Sequence, residues 1–71
     1  MTTEVVREAL RSGRAFKVMI ADGRIVEIPH AEFAMLSRSG RLLYVAAEND
    51  RVEALDVMLI TGLQQERSLP T

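Results

Sequence analysis

The sequence predicts a mainly β, α+β domain: a short N-terminal helix followed by four or five antiparallel strands curled into a small barrel or a strongly bent sheet. Three observations carry that reading. Residues 16–28 read F-K-V-M-I-A-D-G-R-I-V-E-I, two alternating apolar runs around Asp22-Gly23, which is a strong hairpin signal. Short apolar runs recur at 41–46, 51–55 and 57–63, separated by turn-forming residues. Ahead of them, Val6, Ala9 and Leu10 fall on one helical stripe.

The helix is expected over residues 3–12. Thr3 is placed to cap it, Glu4 sits in the first turn, and Gly13 follows as a left-handed terminator. Val5 lies at the margin of the stripe. Glu4 with Arg7 and Glu8 with Arg11 form i,i+3 pairs on the wet side. A helix this short is unstable alone in water and must pack on something.

The hairpin register follows from its loop. A two-residue Asp22-Gly23 loop would pair Ile20 with Ile25 and Val18 with Glu27, mixing apolar and charged groups on both faces. A three-residue loop, Ala21-Asp22-Gly23, uses a type I turn with Gly23 left-handed as a bulge. It pairs Ile20 with Arg24, Val18 with Val26 and Phe16 with Ile28. Phe16, Val18, Ile20, Val26 and Ile28 then share a core face. Met19 with Ile25, and Lys17 with Glu27, occupy the other.

Pro29 interrupts the ladder, and His30-Ala31-Glu32-Phe33 fits one helical turn that drops Phe33 into the core. A brief strand at 34–37 leads to a Ser-Arg-Ser-Gly turn. The strand at 41–46 is apolar on both faces, Leu42 and Tyr44 on one, Leu43 and Val45 on the other. It is expected to be central or covered on both sides, with Tyr44 facing the core. A loop at 48–50, a returning strand at 51–55, and a turn plus short strand at 57–63 complete the order. Arg11-Ser12-Gly13-Arg14 recurs as Arg38-Ser39-Gly40-Arg41 ahead of apolar strands, which reads as shared turn chemistry.

The chain is one small domain, 1–71, with the helix at 3–12, a β core at 14–63 and a tail at 64–71 that has nothing to bury and is expected to fray. Domains of this size bury only about 60% of their unfolded surface. There is no cysteine, a single histidine and three aromatics (Phe16, Phe33 and Tyr44), so disulfide and zinc stapling are set aside and oligomerisation becomes the expected source of extra burial. Nine basic side chains, of which only Lys17 is a lysine, nearly balance ten acidic ones, so no global field draws nucleic acid or anionic lipid. Glu4, Arg7 and Glu8 interrupt any signal-peptide core, and no apolar run approaches the ~20 residues of a membrane span. A cytoplasmic protein without a membrane association is the expectation.

From residue 14 to about 63 the order of features resembles a group of short, functionally uncharacterised bacterial proteins. The matching elements are Ile20-Ala21-Asp22-Gly23-Arg24, Ile28-Pro29-His30-Ala31-Glu32-Phe33, Gly40-Arg41, and Leu55 through Thr61 as an L-D-x-x-x-I-T ending. In that group the histidine precedes the proline; here the order is reversed, and no His-Pro feature carries over. The resemblance implies a fold and no activity. A looser similarity to SH3-like and Sm-like small barrels implies shape and a tendency to self-associate; no Sm-type RNA-binding signature is present.

Catalytic, cofactor and metal sites are not expected. His30 with Glu27 and Glu32 lacks a zinc ligand set and has no nucleophile beside it, so it reads as a link histidine bonded to backbone. Met19 and Ile25 are the candidate interaction residues: the N-terminal helix covers them through Val6 and Leu10, or another subunit does. Met58 and Leu59 pose the same question. The leading expectation is a non-enzymatic, self-associating interaction module, most simply a homodimer, with an unknown protein partner also conceivable. The alternative is an Sm-like RNA- or DNA-binding protein using Arg38 and Arg41 with Arg14 or Arg24. No aromatic platform for bases flanks those arginines.

Overall fold

A computed structural model describes residues 2–47 and 49–65. Helix α1 (Thr3–Arg11) precedes strands β1 (Phe16–Ile20) and β2 (Ile25–Ile28). A 3-10 turn (Ala31–Phe33) leads to β3 (Ala34–Leu36), β4 (Leu42–Ala46) and β5 (Val52–Asp56), and a second 3-10 turn (Val57–Leu59) leads to β6 (Ile60–Gln65). The strands form two three-stranded antiparallel sheets, ordered β2-β1-β6 and β3-β4-β5. The expected α+β order holds, but the strands number six among the described residues and do not close into one barrel. Pro29 and the following 3-10 turn break the path between β2 and β3, so the meander divides there.

The hairpin takes the three-residue loop. Phe16 pairs with Ile28, Lys17 with Glu27, Val18 with Val26 and Met19 with Ile25. Ile20 N–H donates to the Arg24 carbonyl at 2.8 Å, Gly23 N–H donates to the Ile20 carbonyl at 2.9 Å, and Gly23 has φ +97°. Phe16, Val18, Ile20 and Ile28 are buried and Val26 half-buried, as the register requires.

One core lies between the sheets. Phe16, Val18, Ile20, Ile28 and Ile60 come from the first sheet, Leu43, Val45 and Leu55 from the second, and Val57 from the 3-10 turn joining them. Val6 and Ala9 of α1 complete it, so the helix stripe packs inward. Two ties hold the helix across both sheets. Near its start, the Thr3 hydroxyl donates to the Gly40 carbonyl at 2.9 Å. At its other end, the Gln65 amide donates to the Ser12 hydroxyl at 2.6 Å and to the Ala9 carbonyl at 3.4 Å. Thr3 therefore anchors the helix rather than capping it; the cap position is Thr2, whose side chain makes no capping bond.

Three further expectations are corrected. Phe33 is 46% exposed, because the 3-10 turn swings it out beside His30 instead of into the core. Tyr44 is half-buried on the side of β4 opposite Leu43 and Val45, so that strand is central in its sheet but covered on one face only. Gln64 and Gln65 do not fray. They continue β6 and pair with Lys17 and Phe16 through backbone bonds that polar side chains do not prevent. The remainder of the expected tail, 66–71, lies outside the described residues.

Candidate interaction surface

Four turns are built on one local device. A side-chain oxygen accepts the backbone N–H of an arginine two positions later, and the residue between is left-handed. Ser12 accepts from Arg14 at 3.2 Å, Asp22 from Arg24 at 3.0 Å, Ser39 from Arg41 at 3.3 Å and Asn49 from Arg51 at 3.3 Å. The intervening Gly13, Gly23, Gly40 and Asp50 have φ of +72°, +97°, +77° and +64°. The repeat seen in the sequence is thus a turn with a physical basis, and it includes a fourth copy whose glycine is replaced by aspartate. Asx and serine turns favour this exchange of backbone for side-chain bonding.

The device sets the arginines at the entrances of different strands, so it scatters the candidate nucleic-acid residues. Arg24 is neutralised: its Nε lies 2.9 Å from Asp22 and its Nη1 2.6 Å from Glu53. The pair with Glu53 joins the tip of the hairpin to β5 of the other sheet. These contacts, the one with Glu53 foremost, raise the Arg24 pKa. The Asp22 carboxyl is held below its ordinary value, chiefly by the Arg24 N–H and then by the Arg24 guanidinium. Arg14 stands in the first of these turns. Arg38 and Arg41 share the β3–β4 turn and form no ion pair among the described residues.

The histidine cluster does not assemble. His30 Nδ1 accepts the Glu32 N–H at 3.3 Å, and the ring meets Phe33 edge-on at 6.4 Å between centroids. Glu27 pairs instead with Lys17 across the hairpin at 3.6 Å. Among the described residues no group of three or more His, Cys, Asp or Glu side chains is placed to hold a metal ion. No helix of the described residues is long and apolar enough to cross a membrane.

Met19 and Ile25 pair across the hairpin on its outer face, yet their surroundings differ. Met19 is half-buried because its side chain lies over Gly62 of β6, where an added Cβ would come within 2.9 Å of the Met19 Cε. Gly62 of the neighbouring strand supplies that partial cover. Ile25 is 62% exposed.

A larger apolar surface lies on the second sheet, and the sequence reading missed it. The register sets Met35, Tyr44 and Ala54 side by side, with Ala46 and Val52 on one side of that row and Leu42 and Asp56 on the other. All point away from the core residues Leu43, Val45 and Leu55, since side chains alternate along a strand. Met35 is 63% and Val52 67% exposed, Ala46 and Ala54 are exposed, and Leu42 and Tyr44 are half-buried. Exposed Phe33 lies off this face, in a groove at the edge between the sheets that Val26, Val45 and the two acidic residues Glu27 and Glu53 also line. The signal available was the unbroken L-L-Y-V-A-A run: it shows two apolar faces without showing that only one is covered.

No family model matches the sequence, and neither the curated proteins nor the solved structures give a significant match.

Proposed function

We propose that this chain is a non-enzymatic interaction module that self-associates as a dimer. The carrying observation is the outer face of β3-β4-β5, where five of the strand side chains on one three-stranded face are aliphatic, one is tyrosine and one is charged. A contiguous apolar patch of this kind on so small a domain marks a protein contact. A core limited by chain length gives further reason for burial between copies. The two sheets are read as the halves of a small SH3-like or Sm-like barrel. β2 leads through one 3-10 turn into β3, β5 leads through the other into β6, and the helix bridges both ends. Light scattering over a concentration series tests the reading: a mass rising from monomer towards dimer supports it, and a monomer mass up to millimolar concentration overturns it.

The nucleic-acid alternative retains one specific support, the two arginines Arg38 and Arg41 on a single turn. It requires a salt-dependent gel shift that Arg38→Ala and Arg41→Ala weaken. Binding that ignores both substitutions removes those residues from it.

A further inference from the structure

We infer that the second copy stacks on the outer face of β3-β4-β5 with its strands aligned, about a two-fold axis running along β4. This rests on the self-association reading and names the surface that performs it. The face is complementary to itself in shape and charge.

Sheets packed face to face lie about 10 Å apart with strand directions within about 30°. A two-fold axis along β4 sets β3 of one copy over β5 of the other and keeps residues at their own level. Met35 then stands over Ala54 of the other copy, a large side chain over a small one, and Tyr44 meets Tyr44 at the axis. At the level of Leu42, Asp56 comes to the turn that Ser37 and Arg38 begin, because Ser37 lies opposite Leu42 and bonds it at 2.8 Å.

That last meeting selects the occupant. Asp56 is the one charged side chain among the strand residues of this face, and Arg38 forms no ion pair among the described residues. One Asp56 oxygen already accepts the Met58 N–H at 2.9 Å, which leaves the other for the guanidinium. The symmetry makes this pair twice. An axis running across the strands would instead set Met35 on Met35 and Asp56 on Val52, stranding a carboxylate among apolar side chains, which is costly. A second copy of this chain, aligned, is therefore the complementary partner.

Sedimentation equilibrium of the full chain is the test, with circular dichroism to confirm the fold of each variant. Ala54→Arg puts a charge at an exposed position beneath Met35 and should weaken association at least about tenfold. Arg38→Asp should weaken it by about fivefold or more, while Ile25→Arg on the other sheet should leave it within about twofold. In wild-type protein, isotope-filtered NMR on mixed labelled and unlabelled chains should show Met35 methyl to Ala54 methyl contacts between copies. A monomeric wild type would overturn the self-association reading itself. Association that survives Ala54→Arg but is lost in Ile25→Arg would overturn this surface and leave self-association standing. Met35-to-Met35 contacts, or indifference to Arg38→Asp, would overturn the aligned axis.

Discussion

Gly40→Ala should destabilise the domain well beyond the same change at Gly23. Both glycines are left-handed, at φ +77° and +97°, a conformation that costs an L residue about 1–2 kcal/mol. Their surroundings separate them. A Cβ at Gly23 meets nothing within 4 Å, whereas one at Gly40 would lie 2.7 Å from the Thr3 Cγ2. Thr3 must then turn away and give up its 2.9 Å bond to the Gly40 carbonyl, about 1 kcal/mol, and with it the tie at the start of the helix. Gly40→Ala should therefore cost about 2–3 kcal/mol against about 1–2 kcal/mol for Gly23→Ala. In a domain this size each kcal/mol moves the thermal midpoint by roughly 4–8 °C. Urea and thermal unfolding followed by circular dichroism, at dilution where association does not contribute, would measure both. Thr3→Ser removes the methyl that obstructs and keeps the hydroxyl, so it should recover part of the loss in the Gly40→Ala background. Equal losses at the two glycines, or no recovery with Thr3→Ser, would refute the argument that this contact anchors the helix.

Asp50→Gly should stabilise the β4–β5 turn by about 0.5 kcal/mol, the relief of a left-handed aspartate less the added unfolded-state entropy of glycine, and urea unfolding would show it. Leu43→Ala, at a fully buried position in the central strand of its sheet, should cost about 2–5 kcal/mol, with the midpoint in urea as readout. The lowered pKa of Asp22 means that its charged form favours the folded state above the unfolded carboxyl pKa, and that this contribution fades as pH falls through the folded value. Asp22→Asn keeps the acceptor for the Arg24 N–H and removes the charge. Its stability deficit relative to wild type should accordingly be full near neutral pH and shrink in acid below the ordinary aspartate range; a deficit that does not change with pH would remove the charge from the account. Glu53→Gln should cost little stability, since both partners of the pair with Arg24 are roughly half-exposed, and its effect on the urea midpoint should diminish in high salt.

Much of the local architecture was legible because it depends on neighbours in sequence. Asp22-Gly23 specifies its turn, alternation through Phe16–Ile20 specifies the buried face, and together they fix the register. The serine–glycine–arginine repeat was visible for the same reason. Its fourth member was hidden, since Asn49-Asp50-Arg51 holds the shared backbone conformation without glycine. What escaped depends on distant packing. The polar pair Gln64-Gln65 has no apolar pattern, yet it pairs with β1 through backbone groups that composition does not report. Phe33 is an aromatic in a short turn, and only the direction of that turn decides whether it enters the core. The two faces of β4 are equally apolar in sequence, so the pattern marked both as buried. Among the described residues there is one helix, whose stripe goes to the space between the sheets, and no other described element covers Tyr44, Met35 and Val52. That shortfall makes the second sheet a further candidate interface; at the hairpin, Gly62 seats Met19 while Ile25 stays exposed.

The central claim is that this uncovered face is where copies meet. A dilution series followed by NMR, from millimolar to low micromolar, tests it most directly because it locates any association on the chain. The account predicts concentration-dependent shifts at Met35, Tyr44, Val52 and Ala54, with Met19 and Ile25 unmoved. Shifts confined to the hairpin, or none across the series, would contradict it.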